Sequence, residues 1–137
     1  MPLDQDLVGR SFAPTSPYAV TRERIVEFAA AIGDDVLGDG DVAPLTFAFV
    51  VAFGAMNELL TDPQAGIELH NVIHGDQRFE QSRPIRPGDV LTAVLTVDTL
   101  REAAGMDMVG TRTEITTVRG EHVATARATL VHRGGGA

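Results

Sequence analysis

The sequence predicts an α+β fold in which one long antiparallel sheet curls around a single apolar helix. Residues 45–60 form an apolar segment of helical length, and the chain after Gly66 contains four segments with the alternating pattern of β-strands. The turns between these segments are short, which makes the strands antiparallel neighbours. A chain of 137 residues is typical of one domain with a sizeable core. We therefore predict a single domain over residues 1–133 and a flexible glycine-rich tail over 134–137.

The composition excludes several classes of partner and site. Eleven Lys and Arg residues stand against nineteen Asp and Glu residues, and the resulting net charge of -8 repels phosphate backbones and anionic membranes. No nucleic acid and no membrane is therefore expected as a partner. The absence of cysteine excludes disulfides and thiolate metal sites. The first twelve residues are acidic and lack the apolar segment of a secretion signal, so we expect a cytoplasmic protein.

The N-terminal third predicts an extended segment followed by a helix. Pro14 and Pro17 restrict their own φ angles and disfavour helix at the residue before them. Thr21 is a suitable N-cap for a helix that ends at Gly33. Its apolar face is predicted to consist of Ile25, Phe28, Ala29 and Ile32.

An acidic, glycine-rich loop precedes the central helix. Residues 33–44 read GDDVLGDGDVAP, a composition that favours turns. Residues 45–60 are then apolar almost all round, which predicts a helix surrounded by other structure. Thr61, Asp62 and Pro63 end it.

The second half of the chain predicts four long strands. Their side chains alternate in character, and turn residues separate them near positions 86–89, 105 and 119–120. In the second strand, Leu91, Ala93, Leu95 and Val97 share one side. The predicted ranges are 68–81, 90–102, 107–118 and 122–133.

Three segments carry a resemblance to a known family: residues 43–47 (APLTF), 74–79 (HGDQRF) and 83–89 (RPIRPGD). With the opening residues 6–34, they resemble the actinobacterial (3R)-hydroxyacyl-thioester dehydratase subunits of the HadA/HadC type, within the MaoC-like hot-dog superfamily. The resemblance covers nearly the whole chain and implies a hot-dog fold, whereas element order alone also fits a cystatin-like or cone-shaped fold. It further implies that two hot-dog chains pair side by side.

The same resemblance identifies two departures from the catalytic members. Those members resemble one another in a Gly-Asp-x-Asn-Pro-x-His stretch, whose His is the base, and in a glycine at the helix opening whose N–H binds the oxyanion. This chain keeps Gly33 and Asp34 but has Asp39 where the His is expected. It also has Pro44, which lacks an N–H, in place of the glycine. The resemblance therefore implies a substrate-binding half of a dehydratase, whose partner subunit supplies the Asp and His.

The loop between Asp34 and Pro44 is shorter than is usual in this family. A shorter loop removes part of the wall over the acyl tunnel, which is compatible with a bulkier, polyketide-like substrate. Drift in a non-catalytic subunit explains the shorter loop equally well.

Candidate site residues follow from these comparisons, each with an ordinary structural alternative. Asp34, Asp39 and His74 are the candidate catalytic residues, although Asp34 and Asp39 also fit a solvated loop and His74 fits a histidine that fixes a strand turn. The candidate substrate-binding residues are Pro44, Phe47, Phe49, Phe53, Gly75 and Arg78. The phenylalanines also fit a plain core.

The remaining charged and metal-ligating residues give weaker signals. Arg78, Arg83 and Arg86 form a basic cluster that suits the phosphates of coenzyme A or phosphopantetheine, or simply a solvated strand edge. Neither a metal ion nor a cofactor is expected. His70, His122 and His132 are predicted to be ordinary strand or rim residues.

Three functions fit these observations. The first is a dehydratase subunit in fatty-acid or polyketide metabolism that binds an acyl thioester on a carrier protein or coenzyme A and pairs with a catalytic hot-dog chain. The second is an acyl-binding module that pairs with itself. The third retains catalysis through the rewired residues Asp34, Asp39 or His74. The sequence leaves the choice between homodimer and heterodimer open.

Overall fold

The computed structural model describes residues 3–33 and 40–133. The candidate residues Asp34 and Asp39 and the predicted tail lie outside these ranges. The strands are β1 (Tyr18–Ala19), β2 (Val72–Gln81), β3 (Val90–Ala103), β4 (Met106–Thr117) and β5 (His122–Arg133). The helices are α1 (Arg22–Ala31) and α2 (Ala48–Leu60), and short 3-10 turns cover Gln5–Leu7, Leu45–Phe47 and Leu69–Asn71. No helix in the described part of the chain is long and apolar enough to span a bilayer.

The five strands form one antiparallel sheet in the order β1-β3-β4-β5-β2. The edge at β1 is covered further by the N-terminal segment, whose Phe12 and Thr15 N–H groups donate to the carbonyls of Leu95 and Ala93. The opposite edge is β2, which is ten residues long and pairs with β5 on one side. Within the described chain, the other side of β2 has no strand neighbour.

The core lies between the inner face of this sheet and α2. The four alternating side chains predicted to share one side of β3 are all fully buried, and α2 packs against β3, β4 and β5. The α+β class and the curled sheet around one helix are therefore confirmed. Thr21 caps α1 as predicted, because its hydroxyl accepts a hydrogen bond from the Arg24 N–H at 3.1 Å.

Two predictions about burial are wrong. Ile32 follows the last residue of α1 and is half exposed, so it does not belong to the apolar face of that helix. The central helix is not surrounded by its own chain, because Leu45 and Phe53 expose 51% and 47% of their surface. The α-helix itself begins only at Ala48, after the 3-10 turn. One apolar face of α2 is thus open.

The hairpin between β3 and β4 yields a stability prediction. Ala104 and Gly105 connect the strands with φ angles of 53° and 79°, and two positive φ angles are typical of a type I′ turn. Alanine is strained there, whereas asparagine tolerates the left-handed region. We expect Ala104→Asn to raise the free energy of unfolding by about 0.5 to 1 kcal/mol in urea denaturation. Ala103→Asn, the same change one residue earlier in the strand, is the control and is expected to give no gain.

Candidate functional site

Two contacts fix how the segment that opens α2 lies along β2. The Ala43 N–H donates to the Ile85 carbonyl at 2.8 Å, just beyond the C-terminal end of β2. The ring of Phe49, in the first turn of α2, lies 5.7 Å from the ring of His74 near the start of β2. Residues 44–48 therefore run between these two points, along the face of β2 that points toward the helix.

The register with β5 identifies the side chains on that face. His74, Gln77, Phe79 and Gln81 stand opposite Leu130, Ala128, Ala126 and Ala124, all of which are buried against the core. Cross-strand partners point to the same face of a sheet, so these four β2 side chains also point toward the helix. We call this set the β2 inner face. Three of its four residues are polar.

Gly75 interrupts the alternation of β2. The register shifts between His74 and Asp76, which makes Gly75 the extra residue of a β-bulge. A Cβ atom at Gly75 would lie 3.4 Å from the Thr129 carbonyl oxygen and 3.4 Å from a methyl group of Val131, so the space suits glycine. The bulge places Arg78 opposite Arg127 on the outer face of the sheet.

The structure brings together part of the predicted site and separates the rest. Phe49, Phe53 and His74 form one open cluster, since the rings of Phe49 and Phe53 lie 5.6 Å apart. The His74 Nε2 also lies 3.0 Å from the Gln77 Oε1. Pro44 is buried at the turn before α2.

Phe47 and Arg78 do not join this cluster. Phe47 is buried in the core, where its ring packs edge-to-face on Phe28 at 5.4 Å and on Tyr18 at 6.2 Å. Arg78 lies on the outer face and pairs with Asp76 at 3.5 Å. Gly75 contributes its bulge and no side chain.

A clamp of charged groups holds the loop that leads from β2 to β3. The Arg83 guanidinium donates to both carboxylate oxygens of Asp89, at 2.9 and 3.0 Å, and also to Glu121 at 3.1 Å. Burial of Asp89 favours its neutral form, but hydrogen bonds from Arg83 and from the Arg86 N–H outweigh it and lower the pKa of Asp89. Arg83 is therefore committed to this clamp, which argues against a role in binding phosphate. The clamp instead holds the loop whose Ile85 carbonyl accepts a hydrogen bond from the Ala43 N–H.

The profile of the FAS1-like, dehydratase domain region matches residues 38–126. The chain belongs to this dehydratase family. A UPF0336 protein of Streptomyces avermitilis is 46% identical to this chain, and the alignment covers 97% of both proteins. A UPF0336 protein of Saccharopolyspora erythraea is 45% identical, and the alignment covers 98% of this chain and 94% of that protein. The first alignment spans 145 positions, more than the 137 residues of this chain, so that relative carries residues that this chain lacks.

Solved structures agree with the family assignment. A chain of the HadBC (3R-hydroxyacyl-ACP dehydratase) complex of Mycobacterium tuberculosis is 30% identical, with a TM-score of 0.77 over 93% of this chain and 98% of that chain. A MaoC-like dehydratase is 28% identical with the same TM-score, over 93% of this chain and 42% of that chain. The (R)-hydratase of A. caviae, 20% identical with a TM-score of 0.66, shares the fold. The predicted MaoC-like hot-dog architecture of this dehydratase-family chain is confirmed.

Two histidines have roles that the sequence did not reveal. His122 on the outer face lies between Ser82 Oγ, 2.5 Å from its Nδ1, and Glu114 Oε2, 3.0 Å from its Nε2. Burial of Glu114 raises its pKa, but hydrogen bonds from Thr125, Arg112 and His122 together lower it by more, so the pKa of Glu114 lies below its ordinary value. This network faces away from α2 and stabilises the outer face of the dehydratase-family sheet.

His132 lies in β5, which agrees with the prediction of a strand or rim residue, but its side chain is buried, with 2% of its surface exposed. Its Nε2 accepts the Glu68 N–H at 3.1 Å, and its Nδ1 lies 3.9 Å from the Asp107 Oδ2. That Asp107 oxygen also accepts the Leu3 N–H at 2.9 Å. The signal was available, because His132 is two residues from the core residue Leu130 on the same strand. Among the described residues, no cluster of three His, Asp or Glu side chains is arranged to hold a metal ion.

Proposed function

We propose that this chain is the substrate-binding subunit of a (3R)-hydroxyacyl-thioester dehydratase and that a second hot-dog chain supplies its catalytic Asp and His. The observation that carries this proposal is the buried Pro44 at the opening of α2, within a chain of the dehydratase family. A helix start offers backbone N–H groups to a thioester oxygen, and proline has none to offer. Losing one such donor typically slows acyl-transfer chemistry by about 100- to 1000-fold.

His74 is a poor replacement for the missing base. Its side chain is exposed beside Phe49, and its Nε2 is already paired with the Gln77 amide. A general base works best when the protein holds it against the proton that it removes. These contacts support a binding role for the β2 inner face and an external source of the base.

Two exposed features support pairing with another hot-dog chain. Within the described ranges, β2 pairs on one side only over its ten residues, and an open sheet edge of this length favours pairing with another strand. Phe53 exposes an apolar side chain on α2, and Leu45 in the 3-10 turn before this helix is exposed as well. The similar HadBC dehydratase is itself a complex. The proposed substrate is an acyl thioester on a carrier protein or on coenzyme A, from fatty-acid or polyketide metabolism.

A hydratase assay tests this proposal directly. The purified chain is incubated with an enoyl thioester of short or long acyl chain, and loss of enoyl absorbance is followed. It is then mixed with a hot-dog chain from the same genome that has both the Asp and the His. We expect negligible turnover by the chain alone, turnover by the pair, and tighter substrate binding by the pair than by the catalytic chain alone.

Turnover by the chain alone would contradict the proposal. It would favour catalysis through Asp34, Asp39 or His74, which Asp34→Asn and His74→Ala would then distinguish. Thioester binding without turnover in any pairing would instead favour an acyl-binding module that pairs with itself.

A further inference from the structure

A serine, a histidine and a glutamate are linked by hydrogen bonds on the outer face of the sheet. The Ser82 Oγ lies 2.5 Å from the His122 Nδ1, and the His122 Nε2 lies 3.0 Å from the Glu114 Oε2. Glu114 is held in turn by the Thr125 hydroxyl at 2.8 Å and by Arg112 at 3.3 Å. A nucleophile, a base and a group that orients the base form the arrangement with which hydrolases make an acyl-serine.

The direction of these hydrogen bonds suits general-base catalysis. The pKa of Glu114 lies below its ordinary value, so Glu114 is a carboxylate at neutral pH and only accepts hydrogen bonds. In the neutral ring, the His122 Nε2 therefore carries the proton and donates it to Glu114. The Nδ1 is left with a lone pair that accepts the Ser82 hydroxyl, and this is the orientation in which a histidine removes a serine proton.

Ser82 is accessible, and the residue after it is held in place. Ser82 is exposed just beyond the end of β2, where its own N–H donates to the Val123 carbonyl at 2.8 Å. The Arg83 side chain is fixed by the clamp with Asp89 and Glu121. The Arg83 N–H has no hydrogen-bond partner among the described residues, so one backbone donor next to the nucleophile is available to a developing oxyanion.

A cleft beside this group indicates the kind of substrate. Its volume is about 440 Å³, and its lining includes Arg83 and Glu121, the chain neighbours of Ser82 and His122, and the apolar side chains of Val90 and Val118. A volume of this size holds a small molecule, and the two valines offer apolar surface to a short acyl chain.

We propose that Ser82 and His122 are the catalytic residues of a second, hydrolytic site for short acyl esters, with Glu114 as the positioning residue. The Ser82 Oγ attacks the ester carbonyl carbon, and its proton passes to the His122 Nδ1. The C–O bond to the alcohol breaks, the alcohol leaves with that proton, and the acyl group stays on Ser82. Water then attacks the acyl-serine and gives a proton to His122, and Ser82 regains this proton as the carboxylic acid leaves. This site faces away from α2 and does not depend on the proposed dehydratase function.

Hydrolysis of p-nitrophenyl butyrate by the full purified chain tests this site. We expect the wild-type chain to release p-nitrophenolate at least about 100-fold faster than Ser82→Ala or His122→Gln. Glu114→Gln is expected to lower kcat with an unchanged KM, because the neutral amide does not stabilise the imidazolium that forms during the reaction. Ser11→Ala is the matched control and is expected to keep the full rate, since the exposed Ser11 Oγ bonds to the Thr96 hydroxyl at 2.7 Å instead of to a histidine.

Labelling with a fluorophosphonate gives a second readout on the wild-type chain, so the test does not depend on the folding of a variant. The reagent forms a P–O bond to an activated serine and loses fluoride, and peptide mapping by mass spectrometry locates the label. We expect the label on Ser82 and not on Ser11. Equal labelling of the two serines, no labelling of Ser82, or ester hydrolysis that is unchanged in a folded Ser82→Ala overturns the proposal. Labelling of Ser82 without ester turnover also overturns the hydrolytic role. A thermal unfolding curve for each variant shows whether it is folded.

Discussion

Phe53→Asp is expected to abolish pairing with a second hot-dog chain while the chain itself stays folded. Phe53 exposes 47% of its surface and lies 5.6 Å from Phe49 on the open face of α2, so an aspartate there remains hydrated in the separate chain. In a pair it would be buried against apolar groups without a partner, which costs several kcal/mol. We expect at least about 100-fold weaker association, measured by sedimentation velocity for the chain alone and in the mixture.

Val118→Asp is the matched control for this experiment. Val118 is also an exposed apolar residue, at 54%, but it lies in the turn after β4, and its backbone N–H donates to the Val90 carbonyl. The same change in charge there is expected to leave association intact. Unchanged association in Phe53→Asp, with an unfolding transition like that of the wild type, would show that the open face of α2 is not the pairing surface.

The sheet was largely predictable because apolar and polar side chains alternate regularly along its strands. Alternation on β3 placed Leu91, Ala93, Leu95 and Val97 on one side, and all four are buried. The predicted range of β5 agrees with the observed one, because turn residues flank it on one side and the glycine-rich tail on the other. Local rules suffice where the pleat repeats without interruption.

The environment of α2 was not predictable in the same way. Apolar residues all round the segment indicated a fully buried helix, yet Leu45 and Phe53 are half exposed in the single chain. Hydrophobicity reports that a side chain favours burial and does not report which chain covers it. The prediction therefore failed on the face that we propose for a partner.

The arrangement of site residues depended on one bulge. His74 and Arg78 are four positions apart, and strict alternation places them on the same face of a strand. The extra residue at Gly75 shifts the alternation of side chains by one position, so Arg78 points outward while His74 points toward the helix. A glycine within a strand pattern was the available signal, but the sequence does not distinguish a bulge from a regular glycine.

Asp89→Asn is expected to destabilise the fold by about 2 to 4 kcal/mol at neutral pH. Asp89 accepts two hydrogen bonds from Arg83 and one from the Arg86 N–H, and the Arg83 and Asp89 side chains are mostly buried. Asparagine removes the negative charge and leaves the Arg83 guanidinium with Glu121, which is largely exposed. The measurement is the free energy of unfolding in urea.

The pH dependence gives this prediction a specific sign. The folded chain holds the pKa of Asp89 below its ordinary value of 3.8, so the carboxylate stabilises the fold above that value. That contribution is lost as the pH falls through the lower pKa of the folded state. The difference in unfolding free energy between wild type and Asp89→Asn should therefore be largest above about pH 5 and narrow as the pH falls toward about 3.

Asp98→Asn is the control for Asp89→Asn, because it removes an ordinary surface ion pair instead of the clamp. Asp98 pairs with Arg112 at 3.1 Å on the outer face, where both side chains are more exposed than those of the clamp, and its loss is expected to cost less than about 1 kcal/mol. A difference in unfolding free energy between wild type and Asp89→Asn that stays constant across the pH range would show that the carboxylate charge is not what stabilises the loop.

Because this loop holds Ile85 against Ala43, Asp89→Asn should also weaken thioester binding, whereas Asp98→Asn should leave it unchanged.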